Sequence, residues 1–257
     1  MTMRLTLIQP DIEWENKNGN FARIERLISD INTDTDLVIL PEMFNTGFSM
    51  NTERLFEPPN AETYEWLRKI SMEGNYGICA SYIVKERKRF YNRWILVAPE
   101  GKSWHYDKRH LFTMSNEEQS FTPGRVRQIF TFRGVRICPN ICYDLRFPVW
   151  SRNRNDYDLL INSANWPSAR RDVWLTLLKA RAIENQCFVA GSNRIGTDGA
   201  GINYSGDSMI IDPKGEVIIS AGEKECSITA DISMDELREF RKKFPVLDDA
   251  DDFAINI

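Results

Sequence analysis

The run Leu37-Val38-Ile39-Leu40 carries no polar side chain at any position. Successive side chains of a strand point to opposite faces, so such a run needs apolar cover on both. Stacked layers supply that cover, and the rest of the chain supplies the layers. LTLIQ, YGICASYIV, FYNRWILVAPEG, Gln128–Phe132, Val135–Cys138, DLLINSANW, CFVAGSNRIG, SGDSMIID, GEVIISAG and SITADI read as further strands. The Asp-Pro-Lys-Gly stretch at 212–215 predicts a hairpin turn.

Helices fall between these strands. Over 18–31, Phe21, Ile24, Leu27, Ile28 and Ile31 recur on one face. A second helix is expected over 61–73, opening after Pro58-Pro59-Asn60, and a last one over about 233–242. The stretch 171–185 is apolar nearly all round, so it is expected to be buried or covered by a partner. No repeat, linker or break in composition divides the chain. A single α/β domain over 1–257 is the expectation, with a solvated acidic end at about 245–257.

Composition narrows the function. Of the residues 42% are hydrophobic and 27% charged, as in a soluble protein with a sizeable core. The net charge of -4 offers no basic excess for nucleic acid or an anionic membrane. No stretch reaches the roughly 18 apolar residues of a membrane helix. MTMRLTLIQPDIEW lacks a signal peptide's apolar run and cleavage site, so a cytoplasmic location is expected.

The two histidines, His105 and His110, exclude more. A zinc site would need both, with well-placed thiols or carboxylates, yet Cys138 and Cys142 have no second pair nearby; no metal is expected. Neither histidine sits where a Ser-His-Asp base would. The five cysteines, Cys79, Cys138, Cys142, Cys187 and Cys226, are odd in number and widely spread, which argues for free thiols.

Three ionisable side chains stand where buried strands end. Glu42 follows the apolar run at 37–40, and ligands of α/β sheets bind beyond the strand carboxyl ends. Lys108 lies in a charge cluster, Asp107 to His110, flanked by Trp104, Tyr106, Leu111 and Phe112. Cys142 follows VRICPNI at a turn towards a helix, a position that lowers a thiol's pKa and exposes it. Singly, each has a plainer reading: a rim glutamate paired with an arginine, a solvated loop lysine, a core cysteine. Together they form a self-consistent acyl-transfer site. A thiol needs a proton acceptor, a buried carboxylate can serve, and a lysine favours thiolate and oxyanion.

PEMFNTG, YDKRHLF and NICYDLRFP resemble, in order, the three signature segments of nitrilase-superfamily (carbon–nitrogen hydrolase) amidases. The likeness runs over roughly residues 3–240, through SANWPSARRDVWLTLLKARAIENQCFVAGSNRIG and YSGDSMIIDPKGEV. It implies a four-layer αββα sandwich, pairing into a homodimer. It also implies a thioester mechanism without cofactor. Glu42 then carries the proton, Cys142 is the nucleophile, and Lys108 with the backbone N–H of Tyr143 holds the oxyanion. Glu117 looks like the family's second glutamate, orienting Lys108, although Glu118 is adjacent.

CYDLRFP and NWP look closest to ω-amidases, which hydrolyse the side amide of α-keto acids such as 2-oxoglutaramate. Such a small-molecule substrate carries a carboxylate, and Arg146 and Arg170 are candidates to bind it. Arg146 could instead pair with Asp144. An N-carbamoyl amine or amino acid amidohydrolase would use the same triad but release carbon dioxide with ammonia. A catalytically silent binding protein would not need the triad intact, and a redox protein would want the absent C-x-x-C motif.

Overall fold

The computed structural model describes residues 1–31 and 34–256, so Ile257 of the acidic end lies outside them. In chain order come β1 (Thr2–Gln9), α1 (Lys17–Ser29), β2 (Leu37–Ile39), α2 (Glu62–Gly74), β3 (Gly77–Glu86), β4 (Arg89–Val97) and β5 (Ser103–Asp107). Next are β6 (Phe130–Phe132), β7 (Val135–Ile141), β8 (Leu159–Ser163), α3 (Arg171–Asn185) and β9 (Phe188–Ser192). The chain ends through β10 (Ile195–Thr197), β11 (Asn203–Ser205), β12 (Met209–Ile211), β13 (Val217–Ser220), β14 (Cys226–Ser233) and α4 (Met234–Lys243).

Two six-stranded sheets result, ordered β14-β1-β2-β3-β4-β5 and β13-β12-β9-β8-β7-β6. Each has a parallel centre, β1-β2-β3 in one and β7-β8-β9 in the other, with antiparallel flanks. β14 returns from the far end of the sequence to pair antiparallel with β1.

Alternation along each strand sorts the core into layers. Leu37 and Ile39 of β2 join Leu5 and Leu7 of β1 in a cluster with Ile137, Ile141, Leu159 and Ile161 of the other sheet. Their neighbours Val38 and Leu40 face outward and meet Phe21, Ile24 and Leu27 of α1 and Leu67 and Ile70 of α2. On the far side, Trp174, Leu178 and Ala182 of α3 cover Cys138, Leu160 and Val189. The order is helix, sheet, sheet, helix, which explains why LVIL needs no polar face. Gly191 lets α3 come close, since a Cβ there would lie 2.6 Å from Leu178 Cδ1.

Of the two expectations for the helix at 171–185, burial within the chain is not met: Val173, Leu175 and Leu177 are half-buried and Ile183 is 53% exposed. One sheet can cover only one stripe of a helix. CFVAGSNRIG is not one strand either. Asn193 turns its side-chain amide to the carbonyls of Trp166 and Gly206, and Arg194 reaches the carbonyl of Ile12, so β9 stops at Ser192. At the acidic end, Asp248 to Asp252 are exposed. No described helix is long and apolar enough to cross a membrane.

Candidate active site

β2 stops at Ile39, and Leu40 and Pro41 carry the chain to Glu42. Met43 then takes a left-handed turn, φ 43°, its N–H bonded to Ser81 Oγ at 2.9 Å. Cys142, at the end of β7, has the same conformation with φ 43°. For non-glycine residues this costs about 1–2 kcal/mol. Such strain persists only where the surroundings over-determine it.

The charged groups meet between the two sheets' strand ends. Lys108 leaves β5 and is fully buried at its side chain. Its Nζ donates to Glu42 Oε1 at 2.8 Å and to Glu117 Oε1 and Oε2 at 3.0 and 2.9 Å. It also lies 5.0 Å over the Phe48 ring. Glu117 is buried in a short helical turn, whereas the adjacent Glu118 is exposed. Lys108 is thus no solvated loop lysine, the plainer reading of its charge cluster. Burial by itself lowers its pKa, but the carboxylates of Glu117 and Glu42 outweigh that and the net shift is upward. Burial raises Glu117, and Glu42 adds to the rise while Lys108 opposes it.

Cys142 Sγ faces the pocket, 3.7 Å from the carbonyl oxygen of Asn165. Its environment overturns the expectation of a lowered thiol pKa. Burial and the neighbouring Glu42 carboxylate push the thiol well up, and Lys108 offsets them only in part. The helical segment after it is a five-residue 3₁₀ stretch, too short for a strong dipole. Cys138 lies on the helix-facing side of β7, buried, with burial raising its thiol to about 12.

A testable consequence follows for the free protein. With its pKa raised, Cys142 is a thiol rather than a thiolate at neutral pH. Inactivation by iodoacetamide should therefore keep accelerating above the ordinary thiol value of 9.0. A thiolate paired with a cation would instead level off at about pH 4–7. Such a plateau would contradict a protonated resting state.

Arg146 and Arg170 line the same pocket, which has a volume of about 330 Å³, as do Tyr143, Phe48, Phe112 and Trp166. Arg146 stacks at 5.3 Å over Trp166 and Arg170 at 5.2 Å over Phe112. Among the described residues neither has a carboxylate within ion-pair distance. Arg146 does not pair with Asp144, whose oxygens bind Tyr106, His110 and the Ile141 N–H.

Two site residues escaped the sequence reading. Asn92 Nδ2 donates to Glu42 Oε1 at 2.8 Å and reaches Glu117 Oε1 at 3.4 Å. The Asn165 N–H donates to Glu42 Oε2 at 3.0 Å. Asn92 had at most a weak signal, as a polar side chain next to Arg93 in the mixed first half of β4. Asn165 had none beyond its place in NWP. Among the described residues no group of three or more His, Cys, Asp or Glu is placed to hold a metal ion.

The family model described as carbon-nitrogen hydrolase matches residues 4–242. An omega-amidase, YafV, of Escherichia coli strain K12 is 43% identical over 254 residues, covering 98% of each chain. A 2-oxoglutaramate amidase of Bacillus subtilis strain 168 is 34% identical over 97% of this chain and 98% of its own. Among solved structures, XC1258 of Xanthomonas campestris, described as a CN-hydrolase superfamily protein with an arsenic adduct in the active site, superposes with a TM-score of 0.97. It is 39% identical, and all of each chain is covered. The chain belongs to the carbon–nitrogen hydrolase family.

Proposed function

We propose that the protein is an ω-amidase, hydrolysing a small amide that carries a carboxylate, such as 2-oxoglutaramate. The observation that carries the substrate reading is the pair of guanidiniums, Arg146 and Arg170, in the Cys142 pocket without carboxylate partners. Both guanidiniums are half-buried on the pocket wall with no carboxylate partner among the described residues, so each is free to take a two-pronged contact from a substrate carboxylate. The full-length likeness to an omega-amidase and to a 2-oxoglutaramate amidase supports the same reading.

Glu42 accepts the thiol proton of Cys142, and the sulfur attacks the amide carbon. The oxyanion is held by Lys108 Nζ and the backbone N–H of Tyr143. Glu42 returns the proton to the departing nitrogen, releasing ammonia and leaving a thioester. Water then enters, Glu42 takes its proton, and the acid is released as the thiol reforms. Glu117 orients Lys108 through two contacts to its Nζ.

The test measures ammonia release from amides of matched length. A two-pronged, charge-assisted contact is worth about 2–3 kcal/mol. Succinamate should therefore exceed butyramide in kcat/KM by roughly thirty- to a hundredfold. Replacing Arg146 or Arg170 by Met should remove that preference at the responsible position and spare the slow neutral reaction. Equal kcat/KM for charged and neutral amides would sink the ω-amidase reading while leaving the thiol chemistry standing. Glutamine should also be slow. The pocket's own carboxylate, Asp198, is already bonded by the N–H groups of Ala200 and Ile202 and the Tyr204 hydroxyl, so an α-ammonium finds no free partner.

A further inference from the structure

We propose that Asp144, with Tyr106 and His110, is a positioning network that sets Cys142 against Lys108; this rests on the reading of Cys142 as nucleophile. Asp144 is fully buried. Its Oδ1 accepts the His110 N–H at 2.9 Å and lies 2.8 Å from the His110 ring Nδ1. Its Oδ2 accepts the Ile141 N–H at 3.0 Å and the Tyr106 hydroxyl at 2.8 Å. A carboxylate only accepts, so Nδ1 carries a proton here and all four contacts are donations to Asp144. The Tyr106 oxygen in turn accepts the Arg109 N–H at 3.1 Å and Trp150 Nε1–H at 3.0 Å.

These bonds tie together two segments that the sequence separates. Residues 106–110 carry Lys108, and residues 141–144 carry Cys142. The Ile141 contact closes the turn around the left-handed Cys142, a conformation that needs outside support. The His110 contacts fix the backbone two residues beyond Lys108. The His110 ring is held in turn by stacking on Phe147, with centroids 3.7 Å apart. Tyr106 and Asp144 are buried and spend their polar atoms on Ile141, His110, Arg109 and Trp150, so the network acts through the segments that carry Cys142 and Lys108. Sulfur and ammonium must converge on one carbonyl group, and a misplacement of about 1 Å can cost about a hundredfold in rate.

Four variants test this, with ammonia release from succinamate and the rate of Cys142 alkylation as readouts. Asp144→Asn keeps the shape but turns an NH₂ towards donors. Tyr106→Phe removes one hydroxyl. His110→Asn keeps an N–H donor towards Asp144, and His110→Leu does not. Asp144→Asn and Tyr106→Phe should lower kcat by about ten- to a hundredfold, with KM within about threefold and alkylation slowed. His110→Asn should retain about tenfold more activity than His110→Leu. Wild-type kcat in folded Asp144→Asn, or a change confined to KM, overturns the proposal. If Asp144→Asn does not fold, Tyr106→Phe decides by the same criteria. Cys142→Ala is the control. Activity in that protein would remove the nucleophile assignment itself, whereas an inactive Cys142→Ala beside fully active network variants would remove only the network.

Discussion

Cys142→Ser should fold as the parent does and release almost no ammonia. Oxygen replaces sulfur with little change in volume, and the Sγ contact to the Asn165 carbonyl is long at 3.7 Å. Its place in the left-handed turn is a backbone property that serine can share, so the melting temperature should move little. Chemistry is another matter. The base proposed for Cys142 is a carboxylate, which is far too weak to generate a useful alkoxide from an alcohol but adequate for a thiol. Loss of the covalent nucleophile should lower kcat by at least about a thousandfold. Acid quench of the wild type during turnover of a slow amide should trap an acyl group on Cys142. More than about a tenth of wild-type kcat in the serine variant, or an adduct on Cys138, would assign the reaction to other atoms.

Lys108→Ala is the second large effect, and it should reach both activity and stability. A loop lysine in water could be removed at no cost to the fold. This one is fully buried, with Glu42 and Glu117 each about 3 Å from its Nζ. Its loss leaves two buried carboxylates facing each other, and removing one partner of a buried ion pair typically costs about 3–5 kcal/mol. The substitution also removes the cation proposed to hold the oxyanion, so activity falls together with stability. Lys108→Arg separates these roles. A guanidinium can restore the charge balance, so much of the stability should return. Its planar fork is larger than an ammonium, and Phe48 already stands 5.0 Å from Nζ. Catalysis should therefore stay at least about a hundredfold down. Wild-type kcat in the arginine variant would show that any positive charge suffices.

Much of this was legible in the chain, and the limit has a physical pattern. Local signals survived where one residue's environment is fixed by its immediate neighbours. The period of LVIL called for cover on both faces, and both helix and sheet supplied it. The 212–215 turn joins β12 and β13 as its residues suggest. Glu42 and Cys142 lie just beyond strand ends because apolar runs stop where the sheets open to the pocket.

What failed or was missed depends on segments far apart in sequence. The Cys142 thiol pKa goes up rather than down because burial, and after it Glu42 from the other sheet, outweigh Lys108. Glu42 is bonded to Asn165, 123 positions away, and no local pattern at either end announces it. Arg146 was open to pairing with Asp144 two positions back; the fold gives Asp144 to Tyr106 and His110 and leaves the guanidinium facing the pocket. Side-chain period and strand ends are written residue by residue, so the sequence by itself determined the layered architecture and the chemical types at the site. Desolvation and charge pairing depend on every group within a few ångströms, and only the tertiary structure decides which groups those are.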